Sequence, residues 1–433
     1  MTKRELIELL KLEKIKFNKL NGPSVDMTRG RPSTAQLDLA MPMLEQAGTY
    51  NYQDNNLDTR NYGGLGGTQD IKNLFAEILE VNSNEVMIFD SSSLQIMYDL
   101  IQFAMQFGIN NNTPWNKLDK IKFLCPVPGY DRHFAITQTF GIEMISIPMD
   151  NNGPNMDLIE ELVKNDESIK GIWCVPKYSN PTGITYSKEV VERLSKLNAK
   201  AKDFRIFWDN AYMVHDLYEE KDYLENIIQL SKKYNKQDQI YELFSTSKIT
   251  FAGSGISGLV TSINNINEIK SRMSIKIIGP NRINQVMHYN YLKNKENVLN
   301  IMKKHAELLR PKFELFEERM NKEFHNSKLV TWSKPKGGYF ISLNVIGCAD
   351  RIIELCNQKG IKLTPKGSTY PYKIDPYNTN IRIAPSVPTL EEMNYAMNVL
   401  ISAIKQSLLE QRIQNIIYNI KPLDKNIKIK RLK

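Results

Sequence analysis

The chain has 433 residues, 41% of them apolar and 24% charged, with a formal net charge of +9. This is ordinary globular usage with room for two or three domains, and it excludes a disordered or collagen-like chain. No apolar run approaches the ~18–20 residues of a membrane span, while four scattered cysteines without a CxxC and five scattered histidines without an HExxH argue against a disulfide framework or a metal site.

In residues 1–20, Leu6, Leu9, Leu10, Leu12 and Ile15 are spaced for one face of an amphipathic helix, and the segment lacks the uninterrupted apolar core of a secretory signal. With the scattered cysteines this gives a reducing, cytoplasmic setting as the expectation. Residues 21–60 are irregular and rich in Pro, Asn and Asp, which makes 1–60 an N-terminal helix and arm. A glycine-rich loop, NYGGLGGTQD (61–70), and a helix over 71–79 follow. Short apolar runs at 85–89, 121–125, 142–148, 171–175, 204–208, 240–244 and 258–263 read as strands. Helix-like segments lie at 94–107, 131–140, 156–163, 188–200 and 214–230. Buried strands alternating with amphipathic helices predict an α/β domain over 61–290 with a mainly parallel seven-stranded sheet.

Residues 291–420 change character. A long charged helix over 296–324 precedes a turn and strand at 334–345, a helix and strand at 351–365, a strand at 380–385 and a terminal helix at 389–419. That reads as a smaller α+β domain, against which the N-terminal arm is expected to pack. The tail 421–433 holds six Lys/Arg against one Asp, so it supplies +5 of the net charge. A solvated basic tail is the plain reading, and weak contact with RNA or anionic surfaces the sharper one. Concentration of the excess there argues against a nucleic-acid function, and no membrane partner is expected.

In open parallel sheets, ligands collect beyond the carboxyl ends of the strands. Five strand ends carry polar, aromatic or charged residues: Asp90-Ser91-Ser92-Ser93, PVPGYDR (126–132), PKYSNPTG (176–183), Asp209-Asn210-Ala211-Tyr212 and Ser245-Thr246-Ser247-Lys248. Together they imply a shared pocket. Ser91, Ser92 and Ser93 at a helix start offer hydroxyls and free N–H groups to a phosphate, or simply cap the helix. Tyr130 has a ring that can stack on a flat ligand or fill a core. Asp209 ends the apolar strand IFWD and needs a cationic partner, either a protonated pyridine nitrogen or a structural Arg or Lys. Lys248 sits among hydroxyls in a tight turn. Near a pocket its pKa would fall and suit it to Schiff-base chemistry, whereas an exposed lysine would be a solvated charge.

These residues meet a known pattern. NPTG (180–183), DNAY (209–212), STSK (245–248) and NIRIAPS (380–386) resemble, in order and spacing, the fold type I pyridoxal-phosphate aminotransferases of class I/II. MTRGRPS (27–33), LDTRNYGGLGG (57–67), VPGYDRH (127–133) and TSKITFAGSG (246–255) resemble more narrowly the bacterial aspartate aminotransferase subgroup with a MocR-like aminotransferase domain. The resemblance covers roughly residues 20–410. It implies pyridoxal 5'-phosphate as cofactor, held by Lys248 as the Schiff-base lysine. Asp209 would face the ring nitrogen, Asn180 and Tyr212 the phenolic oxygen, and Tyr130 the ring. Ser91, Ser92, Ser93, Ser245 and Ser247 would address the phosphate, and Tyr62 would reach across a homodimer interface to the neighbouring phosphate. Arg382, with Asn180 and Gly30, would take the substrate α-carboxylate, and Arg29 or Arg31 the second carboxylate of a dicarboxylic substrate. The implied reaction moves an amino group between an amino acid, aspartate first, and a 2-oxo acid, 2-oxoglutarate first.

One position departs from the wider family. Many members carry a phosphate-gripping arginine eight residues after the lysine, where this chain has Ile256. The GxGxxG in GSGISG (253–258) follows the lysine turn and leads into a strand, so a dinucleotide reading fails its context. Other reactions of the same scaffold, such as aromatic or alanine transamination or C–S lysis, are the alternative within enzymes. A transcription regulator with an aminotransferase-like sensor is the alternative from another class. About 60 residues ahead of the catalytic domain are too few for its DNA-binding domain, so none is expected.

Overall fold

The seven apolar runs form seven strands of one sheet in the computed structural model, which describes residues 2–418. The basic tail expected at 421–433 lies outside the described residues. The sheet order is Val86–Phe89, Ser257–Val260, Ile240–Ser245, Arg205–Asp209, Ile169–Cys174, Lys122–Val127, Glu143–Asp150 and Gly153–Pro154. The contiguous pairs from Ile240–Ser245 through Glu143–Asp150 are parallel, and Ser257–Val260 is antiparallel to both its neighbours. The sheet therefore has eight strands rather than the predicted seven. The extra one, Gly153–Pro154, is a two-residue edge strand antiparallel to Glu143–Asp150. Its turn-forming sequence carries no apolar run to announce it.

The interior strands are buried along their length because helices cover both faces. On one face Ile88, Leu124, Ile206, Trp208 and Phe244 pack with the helices Gln69–Leu79, Met156–Asn165 and Lys188–Ser195. On the other, Met87, Phe123, Trp173, Phe207 and Leu243 pack with Ser93–Phe107 and Asp131–Thr139. A second body of packing joins the antiparallel strands Val330–Trp332, Ile341–Val345 and Asn380–Ile383 to the helices Ala349–Gln358 and Leu390–Ile417. The N-terminal arm enters this second core. Phe17, Val25 and Met27 lie within it, and Val25–Asp26 pairs in parallel with Ile361–Lys362. The helix Lys295–Phe324 serves both cores, placing Val298, Ile301 and Met302 in the sheet core and Leu309, Phe313, Phe316 and Met320 in the second.

Three expectations need correction. The segment 214–230 is not one helix: the helix is Ile227–Lys233, and the chain before it is irregular. Its backbone is used elsewhere, with Leu217 N–H donating to Lys336 O at 2.9 Å and Gly338 N–H to His215 O at 2.9 Å. The helices Ile263–Lys276 and Arg282–Leu292 fall in a stretch where the sequence patterning predicts no helix; their buried apolar residues, Ile266, Ile269 and Met273 in the first and Val286 and Leu292 in the second, are interspersed with polar ones such as Asn265 and Gln285. The N-terminal helix Lys3–Lys19 buries Leu6 and Phe17, not the expected single face, and leaves Leu9, Leu12 and Ile15 exposed. Ser402 Oγ donates to Glu13 Oε1 at 2.7 Å and fixes this helix against Leu390–Ile417. Among the described residues no helix is long and apolar enough to cross a membrane.

A close approach in the sheet gives a direct test. A Cβ on Gly258 would stand 2.1 Å from the Phe244 ring, whereas one on Gly253 meets nothing within 4 Å. Gly258→Ala is expected to destabilise the protein by about 1–3 kcal/mol or more through overpacking, and Gly253→Ala by far less, as read by urea denaturation of the two variants side by side.

Candidate active site

The carboxyl ends of the parallel strands open into a cleft of about 260 Å³ that is closed on its far side by Phe340 and Arg382 of the second core. From the sheet side Ser92, Ser93, Tyr130, Asn180, Asp209, Tyr212, Ser245, Ser247 and Lys248 line it, and from the N-terminal arm Arg29, Gly30 and Arg31. Two residues expected in the site lie outside the lining. Ser91 meets it through its backbone, its carbonyl accepting from Ser247 Oγ at 3.2 Å. Tyr62 is 80% exposed, away from the cleft of its own chain.

Asp209 is the last residue of its strand and is buried. Its Oδ2 lies 3.0 Å from His133 Nε2, while its Oδ1 is buried with no hydrogen-bond partner. No structural Arg or Lys pairs with it; among the described residues the partner is His133. That imidazole is itself fixed, stacked on Trp173 with centroids 4.5 Å apart and edge-on to Tyr130 at 4.9 Å. Trp173 Nε1 donates to Thr137 Oγ1, which donates to His133 O, each at 2.8 Å. Sequence reasoning missed His133. The available signal was its place three residues after Tyr130, one helical turn away on the same face.

Lys248 sits in the turn after the strand Ile240–Ser245, its Nζ 5.2 Å from the Tyr212 ring centroid and 5.9 Å from that of Tyr339. Burial lowers its pKa, against the opposing pull of the Asp209 carboxylate. Burial also pushes the Tyr212 phenol well above the ordinary tyrosine range, so Tyr212 remains a hydrogen-bond donor. The turn is clamped by backbone: Thr246 N–H donates to Ile256 O at 2.8 Å, and Ile256 N–H to Thr246 Oγ1 at 2.9 Å. Gly255 is glycine because a Cβ would come within 3.0 Å of Thr246 Oγ1 and 3.2 Å of Ser247 N. Within GSGISG, Gly255 thus serves the lysine turn, while Gly258 serves the sheet packing against Phe244. The Ile256 side chain is buried in the sheet core, so this position holds no cation to the cleft.

The helix Ser93–Phe107 points its N-terminus at the cleft, and its N-cap Ser92 makes no capping hydrogen bond with its side chain. The hydroxyl is thus not consumed by its own helix, which favours the anion-binding reading over simple capping. Across from it Ser245 Oγ donates to Ser247 Oγ at 3.1 Å.

Arg382, from the strand Asn380–Ile383, is buried. Its Nη1 contacts Asp131 Oδ1 at 2.7 Å and Asn180 Oδ1 at 3.3 Å. Asp131 and the exposed Arg132 also line the cleft, and neither was singled out from sequence. A buried guanidinium, a lysine of lowered pKa and a carboxylate with one unsatisfied oxygen, set around a cavity with a hydroxyl-rich anion cradle, suit amino-group chemistry on a carboxylate substrate.

The family described as aspartate amino-transferase matches residues 1–415. The chain belongs to this family. An aspartate aminotransferase of Corynebacterium glutamicum is 45% identical over 390 residues, covering 89% of this chain and 90% of the relative. The crystal structure of an aspartate transaminase from Corynebacterium glutamicum superposes with a TM-score of 0.91 at 42% identity, over 94% of this chain and 97% of that one. The fold is shared more distantly with the α-aminoadipate aminotransferase LysN of Thermus thermophilus, solved with N-(5'-phosphopyridoxyl)-L-leucine. Its TM-score is 0.73 at 17% identity, over 91% and 95% of the two chains. The aminotransferase fold type I expected from the motifs is therefore the fold of this chain.

The lowered Lys248 pKa has a thermodynamic consequence. The unfolded chain binds more protons there than the folded one between the lowered value and the ordinary lysine value of 10.5. The destabilisation is therefore full at low pH and fades as pH rises through that window. Lys248→Met is expected to raise the melting temperature of the cofactor-free protein at neutral pH, with a gain that shrinks toward pH ~10. Calorimetric scans across pH measure both.

Proposed function

We propose that this aminotransferase works on aspartate and 2-oxoglutarate, with Lys248, Asp209 and Arg382 as its principal functional residues. The observation that carries the reading is the convergence in one cleft of the Lys248 amine, the partnerless Asp209 Oδ1 and the Arg382 guanidinium.

Pyridoxal 5'-phosphate fits this cleft. A buried carboxylate oxygen without a partner costs roughly 1–3 kcal/mol, and a protonated ring nitrogen is a donor that would satisfy Asp209 Oδ1. Ser92, Ser93, Ser245 and Ser247 would receive the phosphate at the helix N-terminus, and Tyr130 would cover the ring. Asn180 uses its Oδ1 on Arg382, which leaves its amide nitrogen, with the Tyr212 hydroxyl, to donate to the phenolic oxygen. When bound, the group supplies an aldehyde carbon and an electron-withdrawing ring that make the Cα–H of an amino acid acidic. Lys248 holds the key proton position. A lowered pKa favours the neutral amine at Nζ, which would take the Cα proton and pass it to the cofactor's aldehyde carbon. Asp209, oriented by His133 through its Oδ2, would present its free Oδ1 to the ring nitrogen. Arg382 orients the substrate through its α-carboxylate. Arg29, Arg31 and Arg132 stand at the mouth as the cations for a second carboxylate.

The exposure of Tyr62, outside the cleft of its own chain, and of Leu9, Leu12 and Ile15 supports a homodimer with shared sites, in which Tyr62 would reach the neighbouring cleft. A reducing, cytoplasmic setting belongs to the same proposal and is supported by four unbonded, buried cysteines.

An amino-donor screen with 2-oxoglutarate, read as glutamate formed, tests the reading. Aspartate is expected to lead, and a preference for alanine or an aromatic donor would replace it. Lys248→Ala is expected to abolish transfer while the protein stays folded. Asp209→Asn, which keeps size and removes charge, is expected to slow turnover by at least about tenfold, or ~1.4 kcal/mol of barrier. Replacing Arg29, Arg31 and Arg132 singly by Gln should identify the second carboxylate's partner as the variant that loses efficiency on aspartate but not on alanine. For the dimer, mixing Tyr62→Ala with Lys248→Ala protein should restore part of the activity, because each heterodimer holds one site free of both lesions. No recovery on mixing would reject shared sites.

A further inference from the structure

The strongest charged contact of Arg382 is made inside the chain. Its side chain is 4% exposed, and its Nη1 lies 2.7 Å from Asp131 Oδ1. The remaining contacts are longer: Asn180 Oδ1 at 3.3 Å, Thr364 Oγ1 at 3.3 Å from Nε, and Thr28 O at 3.2 Å from Nη2. Asp131 follows Tyr130 directly, opens the helix Asp131–Thr139, lines the same cleft, and is 34% exposed. The arginine assigned to the substrate α-carboxylate is thus already engaged by a carboxylate that reaches it through one nitrogen.

We propose that Asp131 is a built-in competitor for Arg382, and that substrate binding is an exchange of carboxylates at this guanidinium. The inference rests on the reading of Arg382 given above. A buried guanidinium without a counter-charge is costly, and Asp131 removes that cost before substrate arrives. The exchange is favourable because a free carboxylate can take the guanidinium fork at two nitrogens, which is stronger than one contact. The displaced Asp131 also has a place to go. It is partly in water and stands in the first turn of its helix, where the N-terminal dipole favours negative charge. Every carboxylate ligand must overcome the same competitor, so amino donors, 2-oxo acids and products are all held more weakly than Arg382 alone would hold them. The device acts on binding in common and leaves side-chain choice to other residues.

Asp131→Asn tests this in the holoenzyme, because it removes the competing charge and keeps the side-chain shape. Succinate and propionate, carboxylates that lack an amino group, serve as probes, read by calorimetric Kd and by inhibition of aspartate transamination. Both are expected to bind about five- to tenfold more tightly in the variant, and KM for aspartate and for 2-oxoglutarate should fall together. Damage to the site would not tighten an inhibitor. Asp131→Ala, which removes the amide oxygen as well, should tighten binding at least as much. Unchanged or weaker binding in both variants overturns the proposal and makes Asp131 a positioning residue for Arg382. A wild-type protein that moves no amino group from any donor overturns the functional reading and this inference with it, whereas an active wild type with no tightening overturns this inference alone.

Discussion

A carboxylate at the end of an apolar strand is the constraint around which this molecule is organised. Asp209 closes a strand whose every residue is buried, and one of its oxygens has no partner in the chain. Such a group is costly unless a cation or donor meets it. The protein meets half of the demand itself, through a histidine locked between an indole and a phenol. The other half is left facing the cleft. The Lys248 amine and the N-terminus of the helix Ser93–Phe107 share this cleft, so an amine and an anion-favouring helix end stand beside a carboxylate oxygen that can still accept.

The two bodies of packing divide the work. The sheet core fixes the Asp209–His133 pair, the Lys248 turn and the helix N-terminus at Ser93 on one side of the cleft. The second core, with the N-terminal arm woven into it by Val25–Asp26, brings Arg29, Arg31 and Arg382 to the cleft. Arg29 and Arg382 come from segments far apart in the chain and meet only when both ends fold together.

Much of this was legible in the sequence where a local pattern carried it. Continuous apolar runs announced the seven principal strands, and the polar residues after them announced the cleft, including Lys248, Asp209 and Asn180. What was illegible lacked a local pattern. His133 and Asp131 are single residues whose importance lies in contacts 76 and 251 positions away. Val214, Leu217, Leu224, Ile227 and Leu230 mimic helical spacing, but the first part of that run gives its backbone hydrogen bonds to residues 336–338. The N-terminal leucines suggested one apolar face, yet the buried stripe runs from Leu6 to Phe17 and leaves Leu9, Leu12 and Ile15 outside. Only the position of Leu390–Ile417 decides which stripe is chosen.

The helix Lys295–Phe324 gives the two cores a shared mechanical member. At 30 residues it spans roughly 45 Å, and opposite ends of it are packed into different interiors. Each interior therefore supports a helix that the other interior also uses. Pro311 lies inside this helix and removes one backbone donor from its ladder. The lost bond falls in the half of the helix buried in the second core, between Leu309 and Phe313, so packing on both sides holds the turn where the ladder is weakest.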